Sequence, residues 1–159
     1  MNGTEGAWRV RKVEQGEGAQ LRTLLNQHLL ELSAYAEIDQ AYPYFPLYFT
    51  EADRSAWFVE VDQAVAGFAL VNRHAVSGLS TDRALAEFYI LPHARRRGIG
   101  RAFANSLIGA SGLQWELSVL KANVLALDFW RRVCRPYRHL HVIETEEQSI
   151  FRFRAVKRR

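Results

Sequence analysis

Apolar residues recur along the first half of the chain with two different spacings, and each spacing predicts a different kind of element. Between positions 19 and 36 the leucines fall three or four residues apart, which places them on one face of a helix. Segments 56–61 and 64–72 are rich in strand-forming residues and flank the turn dipeptide Asp62-Gln63. The first half therefore predicts a helix followed by an antiparallel hairpin.

The second half predicts a strand, a helix, a strand and a helix in succession. An apolar run over 84–91 indicates a buried strand, and helical spacing then runs from Ile99 to about residue 112. Apolar and polar residues alternate over 115–120, and a second helix is predicted over 123–134. The other predicted strands cover 10–13, 141–144 and 150–156. The inner face of the second helix is predicted to carry Leu125, Phe129, Trp130 and Val133.

This order of elements predicts a single mixed α/β domain. The strand at 84–91, the helix after it and the strand at 115–120 form a βαβ unit, so the two strands should be parallel. The 159 residues suit one domain, residues 1–159, with loose ends over 1–8 and 157–159.

Composition narrows the class of protein. A hydrophobic content of 48% excludes a disordered chain, and no apolar run approaches the ~20 residues of a membrane span, so no membrane partner is expected. Cys134 is the only cysteine, which excludes an internal disulfide and favours a cytoplasmic location. The net charge of +4 suits an anionic ligand but is too small to indicate nucleic-acid binding. No residues have the spacing of a metal site.

Three arginines and two glycines separate the strand at 84–91 from the helix after it. The first N–H groups of a helix lack partners inside it, and the helix dipole makes that end positive, so this turn predicts an anion site. Gly98 and Gly100 would let a phosphate approach the backbone, and the arginines add charge and bidentate hydrogen bonds.

Two motifs resemble those of the GNAT acetyltransferase superfamily. Residues 95–100, Arg-Arg-Arg-Gly-Ile-Gly, fit the family pattern of Arg or Gln, two residues, Gly, one residue, then Gly or Ala. Downstream, Asn123, Ala126 and Phe129-Trp130 are similar to the family's Asn…Ala…aromatic-Tyr run. The element order matches over residues 10–156. The segments Glu-Phe-Tyr-Ile and Phe-Trp-Arg-Arg resemble a bacterial subgroup known only as predicted acetyltransferases.

The resemblance implies a mostly antiparallel, twisted central sheet of six to seven strands with about four flanking helices. A bulge would splay its central parallel pair, and the pantetheine arm of acetyl-CoA, or another acyl-CoA, would lie in the gap beside residues 88–90. Residues 95–101 would hold the pyrophosphate through backbone N–H groups. The residues implied for acetyl-CoA binding are Phe88, Tyr89, Ile90, Arg95, Arg96, Arg97, Gly98, Ile99, Gly100, Arg101, Asn123, Phe129 and Trp130.

Acyl transfer to an amine needs a proton acceptor, because a primary amine has a pKa near ~10. Glu87 is the candidate base, since it lies in an apolar strand beside the expected thioester. The alternatives are a Glu87 that faces solvent or pairs with an arginine, and deprotonation through water alone. The backbone N–H that stabilises the carbonyl oxygen is assigned by the resemblance to Ile90.

Trp130 stands where many relatives carry a tyrosine that acts as general acid, and an indole cannot donate a proton at neutral pH. Either the thiolate leaves unassisted or another group protonates it, with Tyr89, Tyr137 and Cys134 as candidates. The missing tyrosine keeps a non-catalytic acyl-CoA-binding or sensor module open as the alternative to an N-acetyltransferase.

The acceptor is expected to be a primary amine of a small molecule or a peptide. The aromatic segment 42–49 either packs on the core or forms a wall over the ligand mouth, and Glu37 and Asp39 would favour a cation. His28, beside the leucine stripe, is expected to be a partly buried helix residue rather than a ligand. A homodimer is expected because the family often forms one. The residues expected to contact the acceptor are Tyr35, Tyr42, Tyr44 and Glu87.

Overall fold

The computed structural model describes residues 7–159, which form a seven-stranded sheet and three α-helices. The strands are β1 (Trp8–Lys12), β2 (Ser55–Val61), β3 (Ala64–Asn72), β4 (Arg83–Ile90), β5 (Gln114–Leu120), β6 (Tyr137–Glu144) and β7 (Gln148–Lys157). The helices are α1 (Gly18–Leu32), α2 (Ile99–Ile108) and α3 (Val124–Cys134), with short 3-10 turns at Gln15–Glu17, Phe45–Phe49 and Pro92–Ala94.

The strand order is β1-β2-β3-β4-β5-β7-β6, and every neighbouring pair is antiparallel except β4–β5. This confirms the mixed α/β fold with a parallel central pair. Three α-helices and three 3-10 turns stand in place of the four helices expected. None of the helices described in residues 7–159 has both the length and the hydropathy that crossing a bilayer requires.

Several predicted boundaries shift for local reasons. Helix α1 ends at Leu32 rather than at residue 36, because the chain continues in tight i→i+3 turns through Tyr35. Helix α2 ends at Gly109, whose φ of +63° takes the chain out of the helix. The predicted loose ends are wrong at Trp8 and Lys157, which belong to β1 and β7, while residues 1–6 lie outside the described residues.

The sheet is covered on both faces, which gives the protein two apolar clusters. Helix α1 and the turn Phe45–Phe49 pack on one face, and α2 and α3 pack on the other. The predicted inner face of α3 is wrong at Leu125, which is 78% exposed, while Leu127 and Cys134 are buried instead. The reason is helical phase: Leu127, Trp130 and Cys134 share one side at i, i+3 and i+7.

The parallel pair β4–β5 separates after three residues. Pairing covers Arg83 to Leu85 on β4 and then stops. At the same point the register between β4 and β3 shifts by one residue. Val71 is opposite Leu85 and Leu70 is opposite Glu87, so Ala86 has no opposite residue on β3. A bulge of this kind bends a strand and ends its pairing. The bulge therefore opens a gap between the C-terminal halves of β4 and β5.

Candidate active site

The edge of the gap carries unpaired backbone groups of β4. Ile90 lies opposite Gly67 in the register with β3. The nearest hydrogen bond runs one residue beyond this pair, from Leu91 N–H to Ala66 O at 2.8 Å, so Ile90 and its partner are a non-hydrogen-bonded pair. The N–H and C=O of Ile90, and by alternation those of Phe88, therefore point away from β3 into the gap.

Tyr89 differs from its two neighbours. It is opposite Phe68 in a hydrogen-bonded pair, so its backbone groups face β3 and not the gap, contrary to the role that the resemblance implied for it. A Cβ on Gly67 would lie 2.2 Å from the Tyr89 carbonyl oxygen, so only glycine fits beside this strand. The Tyr89 hydroxyl donates to Glu31 on α1 at 2.7 Å, on the opposite face from α2.

Arg95 connects the gap to α1. Its Nε donates to the Ile90 carbonyl at 2.8 Å and its Nη2 donates to Glu31 at 2.9 Å. The guanidinium lies 5.4 Å from the centre of the Tyr89 ring. The backbone N–H of Arg95 donates to Pro92 O at 3.3 Å, so it is engaged and not free for a phosphate as expected. Arg95 thus links α1 to β4 at the edge of the gap.

The turn from β4 into α2 presents free N–H groups and charge. Gly98 precedes the helix with a φ of +78°, a conformation that favours glycine. The first main-chain bond that α2 closes onto this turn is from Ala102 N–H to Gly98 O at 3.0 Å, so the N–H groups before it lack helical partners. Arg96, Arg97 and Arg101 are exposed, and within residues 7–159 none of them forms an ion pair.

The far wall of the gap is aromatic. The Phe88 ring stacks on Phe103 at 5.2 Å and meets the edge of Trp130 at 4.9 Å, and Phe129 packs beside both. A Cβ on Gly100 would lie 3.4 Å from the Phe129 ring, so this glycine allows α2 and α3 to pack closely. The β4 strand, α2 and α3 therefore meet at one apolar surface beside the anion site.

Asn123 has a structural role that accounts for its place in the motif. It precedes α3, and its Oδ1 accepts a hydrogen bond from Ala126 N–H at 3.3 Å. This is a helix N-cap, which fixes where α3 begins. The cap also sets the phase that turns Trp130 toward Phe88.

Glu87 lies on the α1 face of β4 in a polar cluster within the apolar layer. Its Oε2 accepts from the Tyr42 hydroxyl at 2.8 Å, and its Oε1 lies 3.0 Å from His28 Nε2. The side chains of His28 and Glu87 are only 10% and 16% exposed. Among the described residues no lysine or arginine forms a salt bridge with Glu87. The alternative in which Glu87 pairs with an arginine is therefore wrong.

The aromatic segment packs on the core, which is one of its two expected roles, and it also contacts Glu87. Tyr48 is buried in the α1-side cluster with Phe45 and Phe49 packed against it, while Tyr42 reaches Glu87. Burial, and secondarily the Glu87 carboxylate, raises the pKa of Tyr42 well above its ordinary value. Tyr44 is different: it is 57% exposed and lies against the Arg54 guanidinium, so the structure does not bring it to Glu87.

Tyr35 lines a cavity of about 560 Å³ beside the end of β5. Three carboxylates line the same cavity, from Glu37, Glu146 and Glu147. Lys121 is also present, but its Nζ is paired with a neighbouring carboxylate at 3.0 Å. The cavity mouth is therefore net negative, which suits a cation.

The candidate general acids are all held as neutral groups away from solvent. Burial raises the pKa of Tyr137 and of Cys134 to about 12 each. The Tyr137 hydroxyl donates to Asn105 at 2.8 Å, and its ring stacks on Phe153. Burial and the bond to Glu31 raise the pKa of Tyr89 to about 12. Burial makes each of the three a weaker acid than it is in water, and the Tyr89 and Tyr137 hydroxyls already donate to Glu31 and Asn105.

The side chains that contact Arg95, line the cavity beside Tyr35 and contact Glu87 were not predicted from the sequence. No role was assigned to Glu31, Glu146 or Glu147, and His28 was placed in the helix without a polar contact. One signal was available: a histidine on the apolar side of a helix needs a polar partner when buried. In the described part of the chain, no group of three His, Cys, Asp or Glu residues is placed to hold a metal ion.

The chain matches one family model and resembles several solved structures. A model of the Acetyltransferase (GNAT) family matches residues 21–134. An acetyltransferase from Thermus thermophilus is similar in structure, with a TM-score of 0.69, 14% sequence identity and coverage of 93% of this chain and 97% of that chain. No curated protein sequence matches the chain.

Two other solved structures that resemble the chain have ligands bound. The PaiA N-acetyltransferase from Thermoplasma acidophilum, in complex with coenzyme A, has a TM-score of 0.67 at 12% identity, covering 93% of this chain and 99% of that chain. The diaminobutyrate acetyltransferase from Paenibacillus lautus, in complex with L-2,4-diaminobutyric acid and coenzyme A, has a TM-score of 0.65 at 15% identity, covering 94% and 96%. At these identities the likeness concerns the fold.

Proposed function

Because the chain belongs to the GNAT acetyltransferase family, we propose that it is an N-acetyltransferase that moves the acetyl group of acetyl-CoA to a primary amine. The observation that carries the proposal is the gap between β4 and β5, where, among residues 7–159, the backbone groups of Phe88 and Ile90 have no partner strand and only the Ile90 carbonyl is bonded, to Arg95. These groups supply hydrogen bonds to the amide-containing pantetheine arm, and the N-terminus of α2 supplies the anion site for the pyrophosphate.

Arg95 occupies the Ile90 carbonyl, so it competes with the pantetheine arm for that acceptor. Its guanidinium can remain on Glu31 when the arm binds, because that ion pair uses a different nitrogen. Arg96, Arg97 and Arg101, which have no ion pairs in residues 7–159, are the side chains available to the phosphates.

The reaction requires three steps of bond making and breaking. The neutral amine nitrogen attacks the thioester carbonyl carbon, and the Ile90 N–H donates to the oxygen that becomes negative. The C–S bond then breaks and the CoA thiolate leaves, which it can do unassisted because a thiol has a pKa near 8.5. Before the attack Glu87 takes the proton that the ammonium form of the amine must lose, and after it the second N–H proton passes through water to the departed thiolate. Trp130 and Phe129 shield the thioester side of the gap.

The acceptor that fits is a small cationic amine or an amine-bearing peptide. The cavity beside Tyr35 carries the carboxylates of Glu37, Glu146 and Glu147, which would hold a second positive charge of the substrate. The similar Paenibacillus lautus enzyme has L-2,4-diaminobutyric acid bound, which supports an acceptor with more than one charged group.

The test combines calorimetric binding of acetyl-CoA with thiol release over a panel of amines and diamines. Gly98→Val places a side chain at a positive φ in the anion site and should weaken acetyl-CoA binding at least about tenfold. Gly78→Val is the matched control, because Gly78 has a φ of +76° and equally open surroundings but lies in the connector before β4. Equal losses in the two variants, or a folded wild type that binds no acetyl-CoA, would contradict the proposal.

A second function, an acyl-CoA-binding module without catalysis, is favoured by Trp130 in the place of the family's tyrosine. It predicts acetyl-CoA binding of the same strength without thiol release from any amine. Release above the rate of spontaneous hydrolysis with any amine would exclude it.

A further inference from the structure

The Glu87 carboxylate is held at both oxygens by side chains from two different parts of the chain. Tyr42 comes from the loop after α1 and His28 from the middle of α1, while Glu87 itself belongs to β4. We propose that His28 and Tyr42 are positioning residues that fix Glu87 as the base, a step that rests on the proposed N-acetyltransferase function. A network in which every member is satisfied defines one orientation of its carboxylate.

The histidine ring is rigidly placed. Its centre lies 5.8 Å from the Phe68 ring in an edge-on contact and 5.4 Å from the Tyr89 ring. These contacts on two neighbouring strands leave Nε2 directed at Glu87. A ring held in this way cannot follow the carboxylate if the latter rotates, so it fixes the position of Oε1.

The backbone of Tyr42 has a strained conformation. Tyr42 has a φ of +45°, a region that a bulky side chain rarely adopts. Strained backbone of this kind persists where the surrounding structure enforces it and is concentrated at functional sites. Because the pKa of Tyr42 is raised by burial and by Glu87, its hydroxyl stays protonated and always donates to Oε2.

The two contacts leave Glu87 able to accept a proton. Each carboxylate oxygen has two lone pairs and one hydrogen-bonding contact, to His28 or to Tyr42. In residues 7–159 no guanidinium or ammonium pairs with the carboxylate, so its charge is not permanently neutralised. The groups that orient Glu87 therefore do not prevent its protonation, which is what a base requires.

The test is a double-mutant cycle on kcat at saturating acetyl-CoA. His28→Phe keeps an aromatic ring against Phe68 and Tyr89 but removes the Nε2 contact to Glu87, and we expect kcat to fall about tenfold to a hundredfold. The KM for acetyl-CoA should stay within about twofold, because His28 does not face the gap. His28→Gln, which restores an N–H donor, should recover most of the loss.

The decisive measurement is the effect of His28→Phe in the Glu87→Gln variant. There His28→Phe should cause no further loss of kcat, because a residue that acts only by orienting the Glu87 carboxylate has no effect once that carboxylate is gone. Tyr42→Phe provides a second cycle with the same expectation if His28→Phe fails to fold. The inference would be overturned if the losses of kcat were independent of each other in both cycles. It would also be overturned if His28→Gln had a kcat as low as that of His28→Phe. A wild type without turnover would overturn the proposed function as well, whereas turnover with uncoupled losses would overturn this inference alone.

Discussion

A buried and a partly buried carboxylate on adjacent strands have opposite surroundings. Glu116 on β5 accepts from Arg152 at 2.6 Å and from the Ser77 N–H at 3.1 Å, and its side chain is 2% exposed. Glu87 on β4 is 16% exposed and meets only a phenol and an imidazole. Both are in the central strands and face away from α2 and α3.

The difference separates a carboxylate with a fixed cationic partner from one without such a partner in residues 7–159. Arg152 also donates to Thr81 and to the Ser80 carbonyl, so the Glu116 pair anchors the connector before β4 to the sheet. A buried carboxylate with a guanidinium partner has a structural role, because removing either group would leave the other charge uncompensated. Glu87 has no such partner in the described residues, and it is next to the gap. A carboxylate on a central strand thus stabilises the fold in one case and, within the part of the chain that the structure describes, is free of a fixed cation in the other.

The largest expected effect is on catalysis at Glu87. Glu87→Gln keeps the shape and the contact to Tyr42 but cannot accept a proton, so kcat should fall about 100- to 10,000-fold. The free energy of unfolding should change by less than about 1 kcal/mol, because no fixed cation loses its partner. Steady-state kinetics and urea denaturation measure the two quantities. A kcat within about threefold of wild type would remove Glu87 as the base.

The same substitution at Glu116 should reverse the two effects. Glu116→Gln leaves the buried Arg152 without a counter-charge and should lower the free energy of unfolding by about 3 kcal/mol. The KM for acetyl-CoA should remain near its wild-type value in the folded fraction, because Glu116 lies where β4 and β5 are still paired. Equal destabilisation by Glu87→Gln in urea denaturation would erase the contrast between the two carboxylates.

The turn before α2 and the cap of α3 can be predicted from the sequence, whereas the partners of Glu87 cannot. The reason is the distance along the chain between the residues that interact. The anion turn and the Asn123 cap are local features, because a helix start depends on the residues around it. The partners of Glu87 are 45 and 59 residues away, and Arg152 is 36 residues from Glu116. Alternation along β5 predicts that Glu116 faces away from the apolar side, but not that the connector covers it.

A smaller effect is expected at the exposed carboxylates of the cavity beside Tyr35, where we propose that the acceptor binds. Glu146→Gln combined with Glu147→Gln should raise the KM for a diamine about three- to tenfold, because exposed charges attract a cation only weakly through water. The KM for a neutral aromatic amine should not change, and added salt should reduce the difference. Glu14→Gln, an exposed substitution before the N-terminus of α1, is the control. An unchanged diamine KM would mean that the acceptor does not use this cavity.

The smallest effect concerns a third carboxylate, at the surface. Glu17 accepts two hydrogen bonds from the Arg11 guanidinium, each 2.7 Å long. These bonds lower the pKa of Glu17 to about 2. A depressed pKa stabilises the fold above the ordinary carboxylate pKa of about 4.5, and this stabilisation is lost as the pH falls toward 2. Since the pair is largely solvated, we expect less than about 1 kcal/mol. Urea denaturation of wild type and Glu17→Gln should therefore differ slightly at pH 6 and converge near pH 2; a difference that grows on acidification would contradict the pairing.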